Sequence, residues 1–216
     1  MHILEADSIQ LSFGGRQILS SVYLRCETGK IIGLLGRNGQ GKSCLMRIIY
    51  GTLKCERSIR FDHNSQHQAL KDLSSITYLP QFNFLPKRLS VKRILNDFGL
   101  QTHLFENIFP ELTSKLNISI GSLSGGELRL LELYVVARSN SFFSLLDEPF
   151  THLSPAQIEM AKGLLVEVKA TKGLIITDHM YKDILEISDD VYVLANGTTH
   201  LTRGASDIET LGYARI

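Results

Sequence analysis

Apolar and polar residues alternate along the beginning of the chain. The alternation runs through ILEADSIQLSF, residues 3–13, and ILSSVYL, residues 18–24. A period of two is typical of strands that bury one face and expose the other. Gly14 and Gly15 lie between the two runs, at the place where a tight turn would be needed. The pattern therefore predicts a lobe of antiparallel strands.

Beyond residue 30 the apolar positions form short, almost wholly apolar runs separated by helical patterns. Such runs are typical of strands that are buried on both faces of a sheet. Strands are predicted at residues 30–35, 59–61, 76–79, 142–146, 174–177 and 191–194. Helices are predicted at residues 43–50, 155–169 and 181–187, with a weakly helical tail at 206–213. Alternating strands and helices predict an α/β fold with a mostly parallel sheet.

The spacing of apolar residues becomes helical in the middle of the chain, in a segment bracketed by Pro86 and Pro110. The residues that fit helical spacing better than alternation are Leu89, Val91, Ile94, Leu95 and Phe98. We therefore expect one domain over residues 1–216, with a helical lobe inserted in the core at about residues 83–135.

Composition and charge narrow the class of protein. The chain has 216 residues, of which 44% are hydrophobic and 21% charged, so it can bury a sizeable core. Its formal net charge is +1 and no basic stripe stands out, so nucleic acid is not expected as a partner. The basic pairs 87–88 and 92–93 are either a solvated helix face or a contact surface for a partner or for lipid headgroups.

The cysteines and the apolar runs indicate in which cellular compartment the chain is expected. Cys26, Cys44 and Cys55 are odd in number and lack metal-ligand spacing, so we expect free thiols in a reducing compartment. The first residues, MHILEADSIQLSF, do not have the pattern of a signal peptide. No apolar run is long enough to cross a bilayer, so any membrane spans are expected to come from another chain.

The segment GRNGQGKS, residues 36–43, matches the pattern G-x-x-x-x-G-K-[ST]. It follows a predicted buried strand and opens a predicted helix, which is the context that distinguishes a phosphate-binding loop from a chance glycine-rich turn. The glycines allow successive backbone N–H groups to point at a phosphate. Lys42 can reach the β- and γ-phosphates of a nucleotide, and the Ser43 hydroxyl can ligate Mg²⁺.

The apolar run FFSLLDEP, residues 142–149, ends in two carboxylates. Side chains at the carboxyl end of a parallel strand face the crevice in which ligands bind. Asp147 is placed to hold Mg²⁺, and Glu148 to orient an attacking water or accept its proton. The alternative, an acidic helix start after a strand, is disfavoured by the phosphate-binding loop in the same chain.

Three further side chains are candidates for the same site, each with a plainer alternative. Gln81 follows a predicted strand and could touch Mg²⁺ or the attacking water through its oxygen, or be an ordinary surface residue. His179 follows another predicted strand and could hydrogen-bond a γ-phosphate, or it could have only a structural role. Phe13 could stack on a purine base, or belong to the core.

A second helix start also has the chemistry of an anion site. In LSGGELRLLEL, residues 123–133, a hydroxyl and two glycines precede an apolar helical pattern. Ser124 and Glu127 also have the spacing of a capping box, in which each side chain bonds the backbone N–H of the other. Both interpretations are compatible with one another.

Taken in order, Phe13, GRNGQGKS, Gln81, LSGGE, LLDEP and His179 resemble the ATP-binding subunits of ABC transporters. The resemblance covers nearly the whole chain, and LSGGE separates this family from other P-loop ATPases, kinases and GTPases. It implies a RecA-like P-loop core with a mostly parallel sheet, an antiparallel β-lobe and an inserted helical lobe. It also implies an Mg²⁺-dependent ATPase that powers transport.

The resemblance assigns roles to individual residues. Those expected to contact the nucleotide of the same chain are Phe13, Gly36, Asn38, Gly39, Gly41, Lys42, Ser43 and Cys44. The metal ligands would be Ser43, Gln81 and Asp147, and the catalytic residues Glu148, His179 and Gln81. Ser124, Gly125 and Gly126 of one subunit would cap the γ-phosphate held by Lys42 of another, so two ATPs would be sandwiched in a head-to-tail dimer.

The resemblance also implies partners and a location. The expected partners are separate transmembrane permease subunits, which would select the substrate, and a second ATPase subunit in a homodimer or heterodimer. The chain would be cytoplasmic and peripheral on the cytoplasmic face of a membrane. Two alternatives stay open: a soluble ABC-type ATPase acting on DNA ends, ribosomes or protein assembly, and a regulatory module that hydrolyses ATP slowly.

The sequence departs from the family pattern at three positions. Ser154 stands where an aspartate usually contacts the opposite phosphate-binding loop, so communication between the sites would be weaker or the chain would pair with a different subunit. Cys44 replaces a common hydroxyl residue, and a thiol is a poorer donor. Glu127 replaces the more usual glutamine, and glutamate is a frequent variant at this position.

Overall fold

The structure is a computed structural model and describes residues 1–65 and 74–213. Its first sheet has the order β2-β1-β4-β5 and is antiparallel throughout. The strands are β1 (Ile3–Phe13), β2 (Arg16–Glu27), β4 (Glu56–Phe61) and β5 (Asn64–Ser65). The antiparallel lobe predicted from the alternation at the start of the chain is confirmed, with the turn at Gly14 and Gly15.

The second sheet has the order β10-β9-β3-β8-β7-β6. Its strands are β3 (Ile31–Leu35), β6 (Ile76–Leu79), β7 (Phe143–Asp147), β8 (Gly173–Thr177), β9 (Asp190–Ala195) and β10 (Thr198–Thr202). All pairs are parallel except β9 with β10, so the predicted mostly parallel sheet is confirmed. Strand β10 was not predicted, because TTHLT is a half-exposed edge strand with a single strongly apolar residue.

Helices cover the second sheet and fill the segment between β6 and β7. They are α1 (Lys42–Tyr50), α2 (Val91–Asp97), α3 (Thr102–Ile108), α4 (Gly125–Arg138), α5 (Pro155–Val168), α6 (Tyr181–Ile187) and α7 (Ala205–Thr210). Short 3-10 helices lie at Pro110–Lys115 and Ile120–Ser122. The predicted helices at 43–50, 155–169 and 181–187 are confirmed within one residue at each end.

Helix α4 is the last and longest helix of the segment between β6 and β7. Nearly all of its residues are buried, and it packs against α5 and strand β6. A helix that is apolar on almost every side is stable only when neighbours surround it. Its placement explains why the apolar pattern after Ser124 continues without a polar face.

The order of the strands determines where the predicted motifs meet. Strands β3, β8 and β7 are neighbours in that order, and they run parallel to one another. The glycine-rich loop follows β3, Asp147 ends β7, and His179 lies two residues beyond β8. Because the carboxyl ends of parallel strands lie at one edge of a sheet, these groups converge there.

The structure also describes the cysteines and the basic pairs. All three cysteines are free, as predicted, and the structure adds that Cys26 is buried while Cys44 and Cys55 are half-buried. The basic pairs 87–88 and 92–93 are exposed, and Arg93 forms an ion pair with Asp97 one turn further along α2.

Candidate active site

The glycine-rich loop has the backbone conformation that its sequence predicts. Gly39 and Gly41 have φ of +80° and +98°, in the left-handed region that residues with a β-carbon rarely adopt. Helix α1 begins immediately afterwards, with no side-chain cap and no acidic residue in its first turn. The N–H groups of this first turn therefore remain available, and together with the helix dipole they favour an anion.

Lys42 is the cation of this loop, and its side chain is almost fully buried. Its Nζ donates to the carbonyl oxygens of Gly36, at 2.6 Å, and Arg37, at 3.3 Å. Burial lowers the pKa of the Lys42 ammonium, although the charges of Glu148, Asp147 and Asp178 act in the opposite direction. An additional anion beside this amine would offset the cost of its burial, which fits a phosphate group.

Oxygen atoms cluster where the loop meets the end of β7. The Ser43 hydroxyl donates to Asp147 Oδ1 at 3.1 Å, and the Tyr78 hydroxyl donates to Asp147 Oδ2 at 2.9 Å. Burial raises the pKa of the Asp147 carboxyl, while its hydrogen bonds with Tyr78 and Ser43 oppose the rise. A buried carboxylate beside a hydroxyl is the donor set that Mg²⁺ prefers, so Ser43 and Asp147 fit the predicted metal site.

The Gln81 side chain lies within the same cluster. Its Nε2 donates to Ser43 Oγ at 3.0 Å, to Glu148 Oε1 at 2.9 Å and to Asp147 Oδ1 at 3.4 Å. The amide nitrogen, rather than the oxygen, therefore faces these groups, as expected beside two carboxylates. Metal ligation through the oxygen, as the sequence predicts, requires the amide to rotate by half a turn.

Glu148 has an unusual backbone conformation for a residue with a side chain, with φ of +52°. Such conformations cost about 1–3 kcal/mol and persist where the surroundings impose them. Its N–H donates to Thr177 O at 2.7 Å, and its Oε2 accepts from the Thr151 hydroxyl at 3.3 Å. The carboxylate is thus held at the edge of the pocket beside Gln81, where a general base would be needed.

His179 lies near Glu148 and is mostly exposed. Its Nδ1 is 4.0 Å from Glu148 Oε2 and 3.3 Å from Asp178 Oδ1. Asp178 was not predicted, although it too follows a buried apolar strand. It is fully buried and accepts from the backbone N–H groups of Phe150 and Met180, both at 3.0 Å. Burial raises the pKa of the Asp178 carboxyl, and these hydrogen bonds oppose the rise.

Most of the residues predicted to contact the nucleotide line a pocket of about 440 Å³, whereas Gly36, Asp147 and His179 are not among its lining residues. It is lined by Phe13, Ile18, Asn38, Gly39, Gly41, Lys42, Ser43, Cys44, Gln81 and Glu148. Phe13 is 51% exposed, which is the position of a pocket wall rather than of a core aromatic. Burial raises the pKa of the half-buried Cys44 thiol. The lining combines the Lys42 ammonium and the glycine-rich loop, which suit phosphates, with the Phe13 ring, which suits a base.

The LSGG segment lies at the start of α4 and does not line this pocket. Ser124 and Gly125 are exposed, whereas Gly126 is buried against its own chain. The predicted capping box is present: Ser124 Oγ accepts from Glu127 N at 3.3 Å, and Glu127 Oε2 accepts from Ser124 N at 2.9 Å. The Lys115 ammonium lowers the pKa of the Glu127 carboxyl.

Ser154, the position at which the family usually has an aspartate, is the N-cap of α5. Its hydroxyl accepts from Gln157 N at 3.4 Å, and Gln157 Oε1 accepts from Ser154 N at 3.0 Å. Pro155 occupies the first helical position, where its missing N–H costs nothing. Ser154 therefore has a structural role within its own chain.

A group of acidic side chains lies away from the pocket, between α5 and α6. Glu159, Asp183 and Glu186 bring carboxylate oxygens within 4.8 Å of one another. The buried Lys162 Nζ lies 2.7, 3.4 and 2.6 Å from them. Their charge is therefore countered by an ammonium that joins the two helices, and the group is structural rather than a metal site.

Among the helices of the described residues, the structure contains no candidate for a membrane span.

Comparison with known proteins supports what this geometry indicates. The sequence model of the ABC transporter family matches residues 19–151. The LptB protein of Escherichia coli K12, a lipopolysaccharide export system ATP-binding protein, is 29% identical, over 98% of this chain and 93% of its own. An uncharacterized ABC transporter ATP-binding protein of Rhizobium meliloti is 30% identical, over 96% of this chain and 82% of its own.

Solved structures show the same fold. A nucleotide-free ATP-binding cassette from an ABC transporter superposes with a TM-score of 0.80, at 23% identity, over 99% of this chain and 96% of that one. An ATP-binding subunit of an ABC transporter gives a TM-score of 0.79, at 19% identity, over 98% of this chain and 94% of that one. The chain with this phosphate-binding loop and LSGGE helix therefore belongs to the ABC transporter family, as an ATP-binding subunit with ATPase activity.

Proposed function

We propose that two copies of this chain, or this chain and a similar one, bind two Mg-ATP molecules head to tail and thereby drive a membrane transporter. The observation that carries this proposal is the position of Ser124 and Gly125. Both are exposed at the start of α4 and neither lines the pocket of its own chain, so a phosphate capped by them belongs to another subunit.

Within one subunit, the proposed roles follow from the contacts. Lys42 and the N-terminus of α1 counter the charge of the β- and γ-phosphates. Ser43 and Asp147 would hold Mg²⁺, together with Gln81 once its amide has turned. The bound ion would neutralise developing charge on the phosphate oxygens. Phe13 faces the base.

Glu148 acts on the water that attacks the γ-phosphorus. It orients this water and accepts its proton as the bond between the γ-phosphorus and the ADP oxygen breaks. Gln81 and Thr151, which donate to its two carboxylate oxygens, fix its direction. His179, which lies beside Glu148, would hydrogen-bond the γ-phosphate.

ATP binding and hydrolysis would then close and open the dimer. The γ-phosphate bound by Lys42 of one subunit is capped by the exposed Ser124 and Gly125 of the other and by the backbone N–H of Gly126, so both helix N-termini share its charge. Hydrolysis removes that shared charge and releases the dimer.

We further propose one ATPase domain over residues 1–216, with the helical lobe at about residues 83–135. Closure of the dimer would be transmitted to separate transmembrane permease subunits, so that the chain works at the cytoplasmic face of a membrane. The relatives named as transport subunits support this arrangement.

The first test uses the Glu148→Gln variant, with the exposed Glu111→Gln as a control. We expect Glu148→Gln to lose Mg-ATP turnover and to elute as a dimer from a sizing column at saturating Mg-ATP. Glu111→Gln should turn over ATP like the wild type, since Glu111 lies in the Pro110–Lys115 helix outside the pocket. A Glu148→Gln variant that stays monomeric would contradict autonomous homodimerisation, and negligible wild-type turnover would favour the regulatory alternative.

The second test concerns the membrane partner. The tagged chain is purified from detergent-solubilised membranes of its own cells, and the proteins that accompany it are identified by mass spectrometry. A stoichiometric multispan protein is the expected result. A chain that stays soluble without such a protein would favour the alternative of a soluble ABC-type ATPase.

A further inference from the structure

Two of the charged residues of helix α4 lie among its buried apolar residues. Arg129 is 2% exposed and Glu132 is fully buried. Removing two charges from water is costly unless each is paired and hydrogen-bonded. Yet Arg129 Nε and Glu132 Oε2 have no hydrogen-bond partner among the described residues, and Glu132 Oε2 is 3.6 Å from Arg129 Nη1. A charged pair that served stability alone would have all of its polar atoms hydrogen-bonded. The other contacts of Arg129 and Glu132 therefore indicate what the pair does.

The Arg129 guanidinium bonds the backbone of two active-site segments. Its Nη1 donates to Pro80 O at 2.8 Å, directly before Gln81. Its Nη2 donates to Asp147 O at 2.7 Å and to Glu148 O at 2.9 Å. One planar group thus connects the segment that carries Gln81 with the strand end that carries both acidic residues.

The Glu132 carboxylate holds the other side of the Gln81 segment. Its Oε1 accepts from Phe84 N at 2.8 Å and from Leu85 N at 3.4 Å. Arg129 and Glu132 therefore bond the chain on both sides of Gln81, at Pro80 and at Phe84, from two adjacent positions on one helix face.

The same helix carries the LSGG segment at its start. Its capping box fixes Ser124 to the first turn, and Arg129 follows only a turn and a half later. An α-helix of this length moves as a rigid element, so a displacement at Ser124 also displaces Arg129 and Glu132. Their hydrogen bonds would transmit it to the Gln81 segment and to Glu148.

We propose that Arg129 and Glu132 are positioning residues that couple the LSGG end of α4 to Gln81 and Glu148 of the same chain. Arg129 maintains the strained backbone of Glu148 by donating a hydrogen bond to the Glu148 carbonyl oxygen. Capping of a partner's phosphate by Ser124 thereby sets the hydrolytic geometry in the subunit's own site. This inference rests on the proposed dimer, and it supplies a route between the two sites that does not use the position of Ser154.

The sharpest test compares Glu132→Met with Glu132→Gln. Both variants lose the charge and keep a similar volume, but only the glutamine oxygen can accept the N–H groups of Phe84 and Leu85. We expect kcat for ATP to fall at least tenfold in Glu132→Met and to stay within threefold of wild type in Glu132→Gln. The nucleotide affinity of both variants should remain within twofold of wild type, because Glu132 does not line the pocket.

A second pair of variants tests the arginine. In Arg129→Lys, a single amine cannot span the carbonyl oxygens of Pro80 and Glu148, so kcat should again fall at least tenfold with ATP affinity retained. Arg138→Lys is the matched control at the other end of α4, where Arg138 pairs with Glu167 at 2.7 Å. It should keep the wild-type kcat. The double variant Arg129→Lys/Glu148→Gln should still dimerise with ATP, because closure of the dimer precedes the hydrolysis step that Arg129→Lys impairs.

Each outcome bears on the proposal. Equal kcat in Glu132→Met and Glu132→Gln, or an unchanged kcat in Arg129→Lys, would overturn it. A loss of kcat in Glu132→Met that is matched by an equal loss of nucleotide-binding sites would also overturn it, since that pattern means that Glu132 supports folding rather than the geometry of the site. Absent turnover in the wild type would instead overturn the proposed function, which separates the two failures. If Arg129→Lys does not fold, the Glu132 pair still decides.

Discussion

Gly126 leaves no room for a side chain beside Gln157. A β-carbon at Gly126 would lie 2.7 Å from Gln157 Oε1 and 2.9 Å from His152 O. At Gly125 the nearest atom would be His152 Cβ, at an ordinary contact distance of 3.9 Å. The two neighbouring glycines of LSGG are therefore required for different reasons. Gly126 allows α4 to pack on the segment after β7, whereas Gly125 is exposed and free to face another subunit.

This difference predicts opposite effects of the same substitution. Gly126→Ala should lower the thermal unfolding midpoint by several degrees, because overpacking costs about 1–3 kcal/mol. Gly125→Ala should leave the midpoint unchanged or slightly raised, but should weaken ATP-dependent dimerisation at least tenfold in the Glu148→Gln background. Unfolding is followed by circular dichroism and dimerisation by analytical ultracentrifugation. Equal midpoints for the two variants would show that the Gly126 contact is easily relieved.

Cys44 lines the pocket and should make ATP binding sensitive to thiol alkylation. Treatment with N-ethylmaleimide should abolish ATP binding, and prior saturation with Mg-ATP should protect the thiol. Because burial raises the pKa of the Cys44 thiol, the rate of modification should increase from neutral to alkaline pH. Mass spectrometry measures the modification, and fluorescence titration measures the affinity.

The matched variants for this experiment are Cys44→Ser and Cys55→Ser. Cys44→Ser should bind ATP and resist the reagent, whereas Cys55→Ser should remain sensitive, since Cys55 lies outside the pocket. Unchanged ATP affinity after confirmed modification of Cys44 would refute the prediction.

Ser154 should contribute to stability through its cap on α5. Ser154→Ala removes the acceptor of the Gln157 N–H and should cost about 1 kcal/mol of unfolding free energy, measured by urea denaturation. Ser154→Asp restores the residue usual in the family and is itself a good N-cap, so it should retain wild-type stability. An alanine variant as stable as the wild type would mean that solvent replaces the cap.

Lys172 is a buried amine whose acceptors among the described residues are all neutral. Its Nζ lies 3.2 Å from Ser144 Oγ and 3.4 Å from Val136 O. Burial lowers the pKa of the Lys172 ammonium from 10.5 to about 7. Between these two pH values the unfolded chain binds more protons at this residue than the folded chain, so stability rises with pH there. Below the lower value both states carry the charge, and its burial is fully destabilising.

Lys172→Met should therefore be more stable than the wild type at pH 6, by about 2–5 kcal/mol. The advantage should shrink by about 1.4 kcal/mol per pH unit above the folded-state pKa. Urea denaturation at pH 6, 7, 8 and 9 measures it. Lys169→Met is the control, because Lys169 pairs with Asp189 at 2.9 Å near the surface. A difference that is independent of pH would show that Lys172 is not neutralised by burial.

The sequence by itself determined the elements that depend on local chemistry. The glycine-rich loop, the helix start that follows it and the cap at Ser124 are each specified by residues within eight positions of one another. The apolar runs likewise predicted the strands of the parallel sheet. The motifs that follow these strands meet because strands β3, β8 and β7 are neighbours in the sheet. The sequence alone does not establish this strand order.

Only the tertiary structure decided the surroundings of these motifs. The anchoring role of Asp178, the direction of the Gln81 amide and the links from Arg129 and Glu132 each depend on partners distant in the sequence. On α4, a charged residue in an apolar pattern resembles an ordinary surface position until the neighbouring segments are placed around it. Side-chain hydrogen bonds act over about 3 Å, so which groups they join is decided by the packing of the whole chain.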